Sequence, residues 1–258
     1  MRLMKRILSA AAVLALSASL LVGCSSGTAS SVPVSASSAA ESTVSSVEET
    51  ASSAVDENEA AAAQLLNDLT GSYQELWPVI LADEYKQTWL DDCTALVGEE
   101  NAEVAFEKLS SIVTSDVYGE DAVEAYANGG GAYFCGFTNS LAILTFDGET
   151  STISGTDKDG NVLFSHTYHY IGMEPVRGLY EFQSDDADSG EFTYFFLAPD
   201  TSAETYHIEF RYGSDAEALS QYDAGEYAYW VASGISTDCD QTMIDNCIEL
   251  FCTENLAG

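Results

Sequence analysis

Positive charge is the scarcest property of this chain. Eight Lys and Arg stand against 42 Asp and Glu, a formal net charge of −34. Nucleic acid and anionic membrane patches both need a basic footprint, so both are excluded as partners. Such acidity favours attraction of cations at low ionic strength, and its plainer role is solubility outside the cell. Histidine is scarce too, with three residues, so the place of each one matters. No nucleophile elbow, zincin helix motif or phosphate loop is present, and the chain reads as a non-enzyme. Carboxylates are so abundant that pairs of them carry no weight as catalytic signals.

Aromatic residues are absent from Ser25 to Asn58, a stretch made mostly of Ser, Ala, Val, Thr and Glu. A segment of this composition cannot bury enough apolar surface to offset its ordering entropy, so residues 24–58 read as a flexible tether. Ahead of it, Arg2, Lys5 and Arg6 form a positive n-region and Ile7 to Leu20 a short apolar h-region. Leu21-Val22-Gly23-Cys24 follows, in the manner of a bacterial lipobox. Residues 1–23 are therefore expected to be a lipoprotein signal peptide, with Cys24 lipidated as the mature N-terminus. Acyl chains there would hold the protein outside the cytoplasm at the membrane surface, each buried methylene adding about 0.8 kcal/mol. Loss of the signal would leave 42 acidic and 5 basic residues, a net charge of −37.

Five cysteines remain after Cys24: Cys93, Cys135, Cys239, Cys247 and Cys252. Export permits disulfides, and an odd count leaves at least one thiol unpaired within a monomer. Spacings of eight and five among the last three fit no common zinc knuckle. All five read as structural, with the pairing open.

Residues 59–258 suit one domain with a sizeable core. Helices are expected at Glu57–Asn67, Asp83–Val97, Ala102–Val113 and Asp240–Phe251, with a short start at Ser214–Glu217 capped by the serine. Strands are expected at Tyr133–Phe137, Ala142–Phe146, Ser151–Gly155, Val162–Tyr170, Gly178–Phe182, Phe192–Leu197, Tyr206–Tyr212 and Tyr227–Ala232. Many short strands with tight turns predict a mainly β fold, an antiparallel β-barrel with flanking helices; a sandwich is the alternative. In the strand ending at Gly213, alternation puts His207 and Glu209 on one face and Ile208 and Phe210 on the other. An imidazole beside a carboxylate is half of a zinc site, and equally a common solvated pair. His166 and His169 fall on opposite faces of their strand and do not suit one site.

Several separated segments carry a family likeness. Asp68-Leu69-Thr70-Gly71-Ser72-Tyr73-Gln74 is similar to a D-x-x-G-x-[WY]-Q opening, with Pro78 following. Further on come Ser115-Asp116-Val117, Tyr168-His169-Tyr170-Ile171-Gly172, Val176-Arg177-Gly178-Leu179-Tyr180-Glu181, Ala198-Pro199 and Gly234-Ile235-Ser236. In their order these resemble the ZinT (YodA) family, a zinc-binding lipocalin-like (calycin) domain of bacterial surface and periplasmic proteins. The resemblance implies a lipocalin-like barrel holding zinc through three histidines. The first of these falls on Phe195, the second on His207 and the third on Glu209. Phe195 offers no donor atom, whereas Glu209 keeps one. A shifted register would instead pair Thr205 with His207. The family's cysteine pair falls near His166 and Phe182, so that disulfide is missing.

The resemblance implies capture of a divalent cation, zinc foremost, at a reduced metal site formed by His207 and Glu209. It implies delivery to an uptake system, such as the binding protein of a metal-uptake ABC transporter. The alternative is a small-ligand module without metal, with Tyr168, Tyr170, Tyr194, Phe195 and Phe196 lining the barrel mouth.

Overall fold

A computed structural model describes residues 57–128, 131–198 and 207–257. Cys24, the tether up to residue 56, Pro199, Thr205 and Tyr206 lie outside the described residues. Eight strands form a closed barrel in chain order: β1 Gly71–Glu75, β2 Ile143–Asp147, β3 Thr152–Thr156, β4 Val162–Met173, β5 Tyr180–Ser184, β6 Tyr194–Leu197, β7 His207–Gly213 and β8 Ala232–Ser236. Each strand is antiparallel to the next, and β8 closes on β1 through Tyr73 opposite Ser236 and Glu75 opposite Gly234. This is the expected lipocalin-like barrel, and closure leaves no edge strand unpaired.

Two of the expected strands are not barrel strands. Tyr133–Phe137 makes only isolated bridges, from Phe134 to Thr114 and to Trp230. Tyr227–Ala232 is interrupted at Tyr229, whose φ of 56° is left-handed and incompatible with a continuing strand. The closing strands are instead β1 and β8. Their sequences carry little alternation, because β8 must stay small: a Cβ on Gly234 would stand 3.0 Å from Ile208 Cγ1.

Inward residues follow directly from register. Phe182 faces Phe195 across β5 and β6, and Phe195 faces Tyr212 across β6 and β7. With Phe146, Phe164, Tyr168 and Phe210 these rings pack as one buried cluster in the barrel interior. Phe195 has four ring neighbours at 5.3–6.3 Å: Tyr212, Tyr168, Phe164 and Phe210. The interior is therefore a packed core. Tyr168 and Phe195 belong to it rather than to the wall of a ligand chamber, while Tyr194 and Phe196 point outward by alternation.

A helical layer covers one side of the barrel. It holds α2 Leu76–Ile80, α3 Lys86–Val97, α4 Glu99–Ser111 and α7 Gln241–Leu256. The first helix, α1, spans residues 57–68 and buries Ala62, Leu65 and Leu66 toward its C-terminal end. On α3, Trp89 and Cys93 lie about one turn apart and are wholly buried; the Trp89 indole N–H donates to Ile80 O at 2.7 Å. Asp240 caps α7 by accepting from the Met243 N–H at 3.0 Å. A further helix, α5 Glu120–Ala127, is not among those expected from the sequence; it buries Ala122, and its Tyr126 stacks on Tyr229 at 3.7 Å. In the short α6, Ala216–Leu219, the cap is Asp215 rather than Ser214; its carboxylate accepts from Glu217 N and Ala218 N.

Arg211 ties the chain that follows β7 back onto the strand. Arg211 is fully buried, yet no carboxylate bridges it directly among the described residues. Its guanidinium donates to the carbonyls of Leu219, Gln221 and Tyr227 and stacks over Tyr222 at 4.3 Å. Arg177 lies over Tyr222 as well, at 4.1 Å. Burial lowers the Arg211 pKa to about 10, still charged at neutral pH.

Candidate functional site

β7 alternates strictly. Ile208, Phe210 and Tyr212 enter the core, so His207, Glu209 and Arg211 face outward. Opposite them on β8, His207 is paired with Ile235 and Glu209 with Ser233. His207 and Glu209 are each half-buried. As expected, they share one face; that face is the outer wall, beneath the helical layer. Burial pushes the thiols of Cys135 and Cys247 up to about 12, and the Glu209 carboxylate adds to both rises. Glu209 thus sits close enough to both thiols for its charge to be felt.

Phe195 lies on the opposite side of the same wall. It is fully buried in the lumen, in register with Tyr212, an inward residue of β7. The three positions implied by the family resemblance therefore do not converge here. Phe195 points in, while His207 and Glu209 point out, and a β-strand offers no way for one ion to reach both faces. Among the described residues, no group of three or more His, Cys, Asp and Glu side chains gathers to hold a metal ion. What remains is a two-donor pair, one nitrogen and one oxygen, which leaves most of a coordination shell to solvent or other groups.

The other two histidines sit on β4 as expected, on opposite faces. His166 Nδ1 pairs with Asp186 Oδ2 at 2.7 Å and His169 Nδ1 with Asp185 Oδ1 at 2.6 Å. Each is tied to its own carboxylate, and neither approaches the β7 pair in the register.

A cleft of about 330 Å³ opens where β1 passes into α2. Glu75, Trp77, Pro78, Leu81, Phe134 and Cys135 are among its lining residues. One Glu75 oxygen accepts the Phe137 N–H at 2.6 Å. A carboxylate set among apolar walls suits a small apolar molecule bearing a positive charge. Sequence reasoning missed Glu75. It lies two residues beyond Tyr73 on the inward side of a strand that carries only one large inward residue, so no alternation announced it.

No protein-family model matches this chain, and no curated protein sequence matches it. Solved structures do. The likeness is to a ZinT-like domain. The Zn(II)-bound ZinT-like domain of Streptococcus pneumoniae AdcA is 16% identical with a TM-score of 0.45, over 71% of this chain and 89% of that one. Zn(II)-bound AdcA from the same organism is 16% identical with a TM-score of 0.42, over 72% of this chain and 35% of that one. At that identity the likeness concerns the fold alone, and the donor atoms must be judged from this chain's own residues.

Among the described residues, no helix is long and apolar enough to cross a membrane.

Proposed function

We propose that this chain is a lipid-anchored, extracytoplasmic binding protein that captures a divalent cation on the outer wall of β7. His207 and Glu209 are its protein ligands, and water completes the shell. The observation that carries this reading is the placement of an imidazole and a carboxylate two residues apart on one outward strand face. Zinc accepts both donor types. With two mixed donors in place of three imidazoles, binding is weaker and the choice among zinc, nickel and cadmium is relaxed. The ion is cargo: the protein holds it at the membrane surface through lipid on Cys24 and passes it to a metal-uptake system, such as an ABC transporter's binding component. No catalytic step is assigned. The low count of competing cationic side chains supports capture, because little on the surface repels an approaching cation.

Titration calorimetry of the purified mature protein with zinc tests this. About one equivalent should bind, and His207→Ala should abolish binding. Absence of zinc, nickel and cadmium binding by the wild-type protein overturns the reading.

A second reading is favoured by the cleft at Glu75. In it, the small-ligand site lies at the barrel rim rather than in the lumen, which aromatic side chains fill. A cationic apolar probe that binds wild type and not Glu75→Gln would select it.

A further inference from the structure

All five cysteines after Cys24 belong to the helical layer. Cys93, Cys135, Cys247 and Cys252 are buried in its core, and Cys239 packs against it. None is disulfide-bonded in the structure. Two of them meet. Cys93 Sγ on α3 and Cys252 Sγ on α7 are 3.9 Å apart, in van der Waals contact, and both residues are wholly buried. Cys247 also lies on α7, but it is close enough to Glu209, on the barrel wall, to feel its charge. Spacing alone left the pairing open; the helix packing singles out one partner for Cys93.

We propose that Cys93 and Cys252 form a disulfide that ties α3 to α7 in the mature exported protein. The sulfurs must close by about 1.9 Å to reach bonding distance, within reach of small side-chain rotations from a contact already made. The bond forms by exchange with a disulfide of the thiol-oxidoreductase class. The two cysteine thiols are oxidised, one S–S bond forms between them, the oxidant's S–S bond breaks, and both protons leave on the oxidant's sulfurs. The reaction belongs to folding rather than to the finished fold. Once α7 has docked, no oxidant reaches either sulfur, and burial raises both thiol pKa values and so suppresses the attacking thiolate. The linked residues are 159 apart in sequence, so the bond closes a long loop of the unfolded chain, the geometry in which a cross-link restrains that state most.

The oxidising setting rests on the export reading, whereas the choice of partners rests on the helix packing. The test separates the two. The lipidated mature chain is unfolded, reduced and refolded in a glutathione redox buffer, then digested without reductant and mapped by mass. The expected result is a linked peptide pair containing Cys93 and Cys252, lighter by two hydrogens, with Cys135, Cys239 and Cys247 alkylatable after denaturation. Refolding in the presence of reductant, which keeps the pair open before α7 docks, should give a Tm lower by about 10 °C. Cys252→Ala should show the lower Tm without reductant and no response to it, whereas Cys239→Ala should keep both the link and the response. Five alkylatable thiols after refolding, or a link between any other two, overturns the proposal. If the link forms in the buffer while the protein taken from cells holds the pair reduced, the pairing stands and the export reading falls.

Discussion

Phe195→His restores the residue type that the resemblance puts first among three zinc ligands, and the structure says that it will not restore the site. The new imidazole would point into the lumen, with Phe164, Tyr168, Phe210 and Tyr212 around it. His207 and Glu209 would remain on the far side of the wall. The cost falls on stability. Losing favourable ring pairs removes about 0.5–1.5 kcal/mol. Burying a ring nitrogen without a partner costs about 1–3 kcal/mol more. A total near 3 kcal/mol lowers the Tm of a domain this size by about 6–12 °C. Glu209→His makes the opposite prediction: two imidazoles then share the outer face, and zinc binding tightens by about tenfold, close to 1.4 kcal/mol. The assay is zinc calorimetry on both variants, paired with thermal unfolding without metal. A tenfold gain in zinc affinity for Phe195→His would mean that positions 195, 207 and 209 share a site, and the register of β6 on β7 would be wrong.

Other expectations concern the supports of the fold. Arg211→Ala strips three carbonyls of their buried donor and should cost about 3 kcal/mol in urea unfolding, with Arg211→Lys recovering little of it because a single ammonium cannot span all three. Asp215→Ala removes the cap of α6 and should cost about 1 kcal/mol, whereas Ser214→Ala should be near neutral in the same unfolding assay. The Asp92 carboxyl is raised by burial and by Glu249, Asp245 and Asp91, and one of its oxygens is buried without a partner. A raised carboxyl binds a proton more readily folded than unfolded, so stability should increase as pH falls through its folded pKa toward the ordinary value near 3.8. Asp92→Asn should raise the Tm by a few degrees at pH 7 and flatten that part of the pH profile.

Strong alternation made most of the barrel legible in the sequence. β4 and β7 are long, aromatic and β-branched, and both fall where the pattern puts them. The closing strands did not show. β1 has Tyr73 as its one large inward residue, and the inward residues of β8, Ala232 and Gly234, are small, with Ile208 pressing against Gly234. Conversely, Tyr227-Ala228-Tyr229-Trp230 has the composition of a strand, but its rings pack as a loop around the left-handed turn at Tyr229. The His207–Glu209 pair was half legible for the same reason. Period-two alternation tells that His207 and Glu209 share a face; only the pairing of β7 with β6 and β8 tells which face is outside.

The burial of Arg211 also alters how the protein meets its medium. After residue 23 the chain has five cationic side chains, Lys86, Lys108, Lys158, Arg177 and Arg211, and one of them, Arg211, is fully buried. What faces solvent is thus even more one-signed than the composition implies. Such a particle carries a dense cloud of small counterions, and a divalent ion competes with monovalent ones for a place in it. Delivery of dilute metal to the barrel surface should therefore slow steeply as sodium chloride rises, even where the intrinsic affinity of the β7 pair stays the same.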